Sequence, residues 1–367
     1  MVAKRHHFVP KCYLESFSVK NPKKRKSNLY AFDAVDRKVF RPAPDNVALQ
    51  TDFNTIDLEG HKPDAFENAM ASVESDIGPA LVRIVAAKSL KNEEDRTLLL
   101  NLIGLLHIRN PRLRERVRGF RDRVAKMVLD VALSSPQIWD SQVKQAKEAG
   151  FMSADADTDY DKVKKDYKPD DYKIEVPNIE NIRTEMDTFD HILPLLFARK
   201  WVLVKAPEGS AGFVTCDHPV CLYWSEPDPA RGNRGPGLKH KGSEILFPIS
   251  PSLAVVGAYE LENAEADLTE DEVAASNGTI AIFAQRQVYA PTMNFKYQID
   301  QSKPPKGAAV LIDDERFKPT NQLPPFDDSL RVSAVPTGVF TVPTPLDSPA
   351  SATGASNSLF PPLVRGH

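Results

Sequence analysis

Leu98-Leu99-Leu100-Asn101-Leu102-Ile103-Gly104-Leu105-Leu106-His107-Ile108 is apolar on nearly every face. A helix that is hydrophobic all round belongs inside a molecule, with other elements packed on each side. Glu93-Glu94-Asp95 opens it with the acidic first turn that the helix dipole favours. Pro111 kinks or interrupts it, because proline lacks an N–H and clashes with the preceding turn. Arg109 therefore lies at the end of a buried helix, where a charge needs a partner. A buried Arg–Glu pair meets that need. So does a bound anion, since a guanidinium matches phosphate or carboxylate with a forked set of donors.

Helices flank this segment. Pro63 and Asp64 mark a start, and Phe66, Met70, Val73, Ile77, Leu81 and Ile84 follow at helical period. Glu67 and Glu74 lie seven apart, nearly on one face, beside the apolar seam. They read as solvated edge residues, or as a base or metal ligand if the helix faces the N-terminal histidines. Beyond Pro111, Arg112, Arg114, Arg116, Arg118, Arg121 and Arg123 spread around a continuing helix that reads as mostly solvated. Phe120 alone gives no aromatic interleaving for base stacking. From Ser134 to Pro177 the chain turns polar, with Trp139 and Phe151 isolated, and reads as an exposed excursion. Its acidic run 155–161 lacks the glycine and closing glutamate of a calcium loop. A helix with Ile182, Met186, Phe189 and Leu193 on one side follows, broken near Pro194.

From Trp201 the period changes to that of strands: 201–206, 212–216, 220–224, 244–251 and 253–259 build one sheet. Thr269 with Glu272 three residues on is a capping box, so a last helix spans 269–287, before a strand at 288–290. The fold class is α+β, with long helices on a mostly antiparallel sheet. One domain covers 1–301: arm and hairpin 1–60, helical part 61–200, sheet part 201–301. Residues 302–367, rich in Pro, Ser, Thr and Ala, read as a mostly disordered tail.

At the N-terminus, His6 and His7 precede Pro10, which favours the first turn of a helix carrying Tyr13, Leu14 and Phe17. Neighbouring side chains of an extended segment point to opposite faces. One imidazole thus faces a site while a backbone carbonyl or carboxylate holds the other, or both simply pack the arm onto the body. Leu29-Tyr30-Ala31-Phe32-Asp33 and Lys38-Val39-Phe40-Arg41-Pro42 form a hairpin.

The 367 residues carry a formal charge of −3, so no global basic field argues for nucleic acid. Cys12, Cys216 and Cys221 have no spacing for a disulfide framework or a zinc cage. No run is long and apolar enough for a membrane span, and no secretory signal opens the chain. A cytoplasmic protein of a reducing compartment is the expectation.

These landmarks resemble an uncharacterised domain-of-unknown-function family with an N-terminal His-His-x-x-Pro signature, here His6-His7-Phe8-Val9-Pro10. Tyr13-Leu14-Glu15-Ser16-Phe17, Asn46-Val47-Ala48, the Glu67 and Glu74 helix, Arg109-Asn110-Pro111, Thr215 to Val220 and Phe247 to Pro251 carry the rest. Cys216 and His218 depart from the small hydroxyl residue and Asn that the resemblance leads one to expect. The resemblance implies no reaction, so chemistry must come from the residues.

Two readings follow. In the first, the chain is a metal-assisted hydrolase of a phosphate-containing or nucleic-acid substrate. His6 or His7 acts as acid or base; Glu67 or Glu74, with Asp217, orients it or holds a divalent metal; Arg109 binds the anion. A likeness to His-Asn-His nucleases fails, since only His61, in a surface turn, follows nearby. In the second, the same polar residues form a buried network in a non-catalytic module that binds an anionic ligand or another partner.

Overall fold

The apolar segment around Leu102 organises a chain whose computed structural model describes residues 5–20, 27–56, 60–168, 176–226 and 235–318. The basic run 21–26 and everything past 318, including most of the expected disordered tail, lie outside the described residues. The fold is α+β, long helices packed on mostly antiparallel sheets.

β1 (Arg5–His7) leads to the short helix α1 (Lys11–Glu15), which Pro10 starts. β2 (Val19–Lys20) pairs with β3 (Ser27–Asn28). β4 (Tyr30–Asp33) and β5 (Lys38–Phe40) form the expected hairpin, with Ala31 opposite Phe40. β6 (Leu49–Thr51) returns antiparallel to β1, setting Gln50 opposite His6. Then α2 (Ala65–Ala87) buries Phe66, Met70, Ile77, Leu81 and Ile84, the anticipated seam. α3 (Glu93–Ile108) is capped by Asn92, whose Oδ1 accepts the Asp95 N–H, and is buried from Leu99 through Leu106. It packs so closely on α7 (Asn178–Phe197) that a Cβ at Gly104 would meet the Phe189 ring at 2.8 Å. Asn110 and Pro111 end α3 and open α4 (Pro111–Ala132), the Asn110 Oδ1 accepting the Leu113 N–H at 2.8 Å.

After α5 (Pro136–Glu148), α6 (Tyr160–Asp166) and α7 come β7 (Lys200–Lys205), β8 (Thr215–Cys216), β9 (Cys221–Trp224), β10 (Ser243–Ser250), β11 (Leu253–Ala258) and β12 (Ala264–Asp267). α8 (Glu270–Phe283) starts with the predicted Thr269–Glu272 capping box, and β13 (Gln287–Ala290) follows. β14 (Lys296–Tyr297) pairs with β15 (Lys306–Gly307). One sheet runs β12-β7-β11-β10-β9, with only β12 parallel to its neighbour. Alternate residues of its strands face two cores. Leu203, Ile245, Phe247 and Val255 meet the arm and the helices, while Val202, Val204, Leu246, Ala254 and Val256 meet α8 and the second sheet. Both faces being covered, the strands read as continuous apolar runs.

Four expectations change. The strands do not form one sheet: β8 pairs with β13, which pairs with β4, so a second sheet of order β5-β4-β13-β8 joins the two ends of the chain. α7 continues through Pro194 to Phe197, because a proline in the last turn removes little of the ladder. The 134–177 segment carries α5 and α6 around a small core in which Trp139 packs with Ala132, Leu133, Val143 and Tyr160. The domain does not stop at 301, since Ala308, Leu311 and Phe317 are buried in the second core.

Candidate functional site

Strand alternation sends His6 inward and leaves His7 half-buried on the other side. His6 is 0% exposed, and its Nδ1 accepts the backbone N–H of Asn54 at 2.9 Å. Asn54 is the hub. Its Nδ2 donates to Glu67 Oε2 at 2.5 Å, and its Oδ1 accepts from Arg109 Nη2 at 3.1 Å. Arg109, 4% exposed, also lies over the Phe66 ring at 5.3 Å. One turn on, Arg114 donates to both oxygens of Glu185 at 2.5 and 2.7 Å and to the Phe53 carbonyl. The arm, α2, the end of α3 and α7 are thus tied by one buried polar network.

Burial governs the titration around it. Glu74, one helical face along from Glu67, has its carboxyl pushed up to about 7 by burial, against the pull of Arg109. Burial also lowers His7, opposed by the carboxylates of Asp45 and Glu67. Cys12, beside Glu74, is pushed up to about 12 by burial and stays a thiol. His6, His7, Glu67, Glu74 and Arg109 therefore gather where the arm meets α2 and α3.

Asp217 belongs to a neighbouring group. Its carboxylate accepts the backbone N–H groups of Gln285, Arg286 and Gln287 at 2.7, 2.8 and 3.0 Å. Burial pushes it up to about 6 in spite of those donors. It lines a cavity of about 310 Å³ with Arg5, Gln50, Asn46, Pro111 and Arg286, between the arm and the turn before β13. Close by stand His107, Arg112, Arg116 and His218. Burial and the charges of Arg112, His107 and Arg116 lower His218 to about 3. Burial, with Arg199, lowers His107 to about 4. Both rings are neutral at pH 7. Their Nδ1 atoms and Arg112 Nε are shut off from solvent without a hydrogen-bond partner among the described residues. The His218 ring stacks on Phe283 at 6.4 Å.

A family model described as a protein of unknown function, DUF4238, matches residues 5–293. The chain belongs to the DUF4238 family. No curated protein and no solved structure matches it.

In this DUF4238 chain five of the six residues singled out from the sequence meet, while Asp217 is engaged by backbone one layer away. Among the described residues no three His, Cys, Asp or Glu side chains are grouped as a metal site needs. No helix of the described residues is long and apolar enough to cross a membrane. Sequence reasoning missed Asn54, because a hub inside a short irregular stretch has no pattern of its own. It also set Arg112 and Arg114 among solvated arginines, yet both are largely covered in the DUF4238 fold. The cue was their place in the first turn after a buried helix, next to Pro111.

Proposed function

We propose that this DUF4238 protein is a binding module for a phosphate-bearing ligand, received at the corner where α3 gives way to α4. Arg112 carries the reading. Three other covered guanidinium groups are engaged, Arg199 by Ser243, Gly257 and Leu238, Arg114 by Glu185 and Arg109 by Asn54, while Arg96 Nε on α3 is also buried without a partner among the described residues. Arg112 makes no hydrogen bond among the described residues, and its Nε is buried. A covered guanidinium without an acceptor is costly, and an anionic oxygen satisfies it. The two orphaned imidazole nitrogens beside it offer further donors, and the nearest carboxylate, Asp217, is engaged by backbone. The buried network then serves to fix the corner in place.

Titration with inorganic phosphate, followed by calorimetry and by the ring signals of His107 and His218, tests this. Phosphate is expected to raise the pKa of both rings, and Arg112→Gln to weaken binding by roughly tenfold or more. Ring signals that ignore phosphate would end the reading.

Glu74 favours a second reading, a hydrolase of a phosphate-containing substrate. A carboxyl titrating near 7 suits a general acid, and the lowered, neutral His7 suits a base. Phosphoester hydrolysis should then fall in both Glu74→Gln and His7→Ala, with and without Mg²⁺, Mn²⁺ or Zn²⁺. Unchanged rates in both variants would remove it.

A further inference from the structure

The outer face of α4 is unusual for a helix with seven basic residues. Phe120, Val124, Met127 and Val131 are each 41–65% exposed, although all four are apolar. Their spacing of four, three and four is the alternation of a coiled-coil seam, with valine at the a positions and Phe and Met at d. The rest of the helix is already used, by Arg114 on Glu185 and Arg121 on Thr184 along one flank of the stripe and by Leu129, opposite it, in the small core around Trp139. Val128, 57% exposed, borders this a/d stripe, and such an apolar face left in water is a seam without its partner strand.

We propose that this face docks against the same face of a second copy of the chain, antiparallel, about a two-fold axis near residues 125 and 126. The flanking charges select that arrangement. In a parallel pair the g and e positions would set Arg123 against Val128 and Asp130 against Ser135 of the other copy, and neither charge would be met. In the antiparallel pair Phe120 meets Val131, Val124 meets Met127, and Arg123 meets Asp130, each twice by symmetry. Arg123 and Asp130 are exposed and make no ion pair within their own chain among the described residues. Val117, the next seam position toward the N-terminus, is half-buried, and Leu113 beyond it packs into the main core, so the contact is confined to residues 119–132. This inference is independent of the anion site, which lies at the other end of α4.

Sedimentation velocity and light scattering of the full chain over a range of concentrations provide the test. The expected result is a concentration-dependent dimer. Phe120→Glu with Met127→Glu should leave a monomer with an unchanged circular dichroism spectrum. Arg123→Asp and Asp130→Arg should each weaken the dimer by about tenfold, and the double exchange should restore it, which mere damage to the helix cannot imitate. A parent chain that stays monomeric at all concentrations overturns the proposal, as does a dimer indifferent to all these substitutions. A monomeric parent that sediments with phosphatidylserine vesicles, and loses this in Phe120→Glu, overturns it in favour of a membrane surface.

Discussion

Among the described residues Arg109 hydrogen-bonds Asn54 and no glutamate: its Nη2 donates to the amide oxygen at 3.1 Å, and the same amide donates onward to Glu67. The charge at the end of α3 is therefore compensated through a neutral relay. Asn54→Ala removes both bonds and leaves Arg109 and Glu67 without their shared partner. The expected cost is about 3 kcal/mol, read from urea unfolding, with the His6 contact surviving because it uses the Asn54 backbone.

Arg112 and Arg114 are two residues apart on α4 and should respond in opposite ways. Arg114→Met leaves Glu185, whose side chain is 5% exposed, as a buried carboxylate without its bidentate donor. That should cost about 3–5 kcal/mol. Arg112→Met removes a covered cation that no acceptor meets. It should change stability by less than about 1 kcal/mol, or raise it. Parallel urea titrations of the two variants decide.

Glu74 imposes a pH dependence of known sign. Its carboxyl moves from an ordinary 4.5 to about 7 in the fold. The folded chain then holds a proton the unfolded chain releases. This group's contribution is full below pH 4.5 and is lost as pH rises through about 7. Asp217, raised from 3.8 to about 6, acts in the same direction. His107 and His218, lowered from 6.5 to about 4 and about 3, act in the opposite one: their contribution is present above 6.5 and lost on acidification. Glu74→Gln isolates the first term. Relative to the parent, it should gain stability between about pH 5 and about pH 8 in urea midpoints.

Phe317, 1% exposed, packs in the core formed by α8 and the second sheet. Phe317→Ala should cost about 3–5 kcal/mol, measured by thermal or urea unfolding. A negligible effect would return the domain boundary to 301.

Much of the fold is visible in the residues. The Phe66–Ile84 seam, the buried Leu98–Ile108 helix, the β4–β5 hairpin and the Thr269 capping box all state their structure locally, through period or cap chemistry. The division into two sheets is not visible there. The β8 strand is only two residues long, and its pairing with β13, more than seventy positions away, leaves no local mark. The site follows the same rule. His6, Glu67, Glu74 and Arg109 stand out by type and context. Asn54 and Arg112 matter through where distant segments bring them, and Asp217, read as chemical, holds a turn. Trp139 reads as isolated in the sequence because its partners come from α4 and α6, on either side of a polar stretch.

The Tyr13 hydroxyl bonds Thr215 Oγ1 at 2.6 Å and donates to the Pro248 carbonyl at 2.8 Å, across 202 and 235 positions of sequence. During translation the first helix leaves the ribosome long before either partner is made, about 10–40 s earlier at roughly 5–20 residues per second. In that interval Tyr13, Leu14 and Phe17, all wholly buried in the finished fold, have nothing to cover them. The nascent chain therefore presents a greasy helix that chaperones can grip, and this helix is seated only once β8 and β10 have been made.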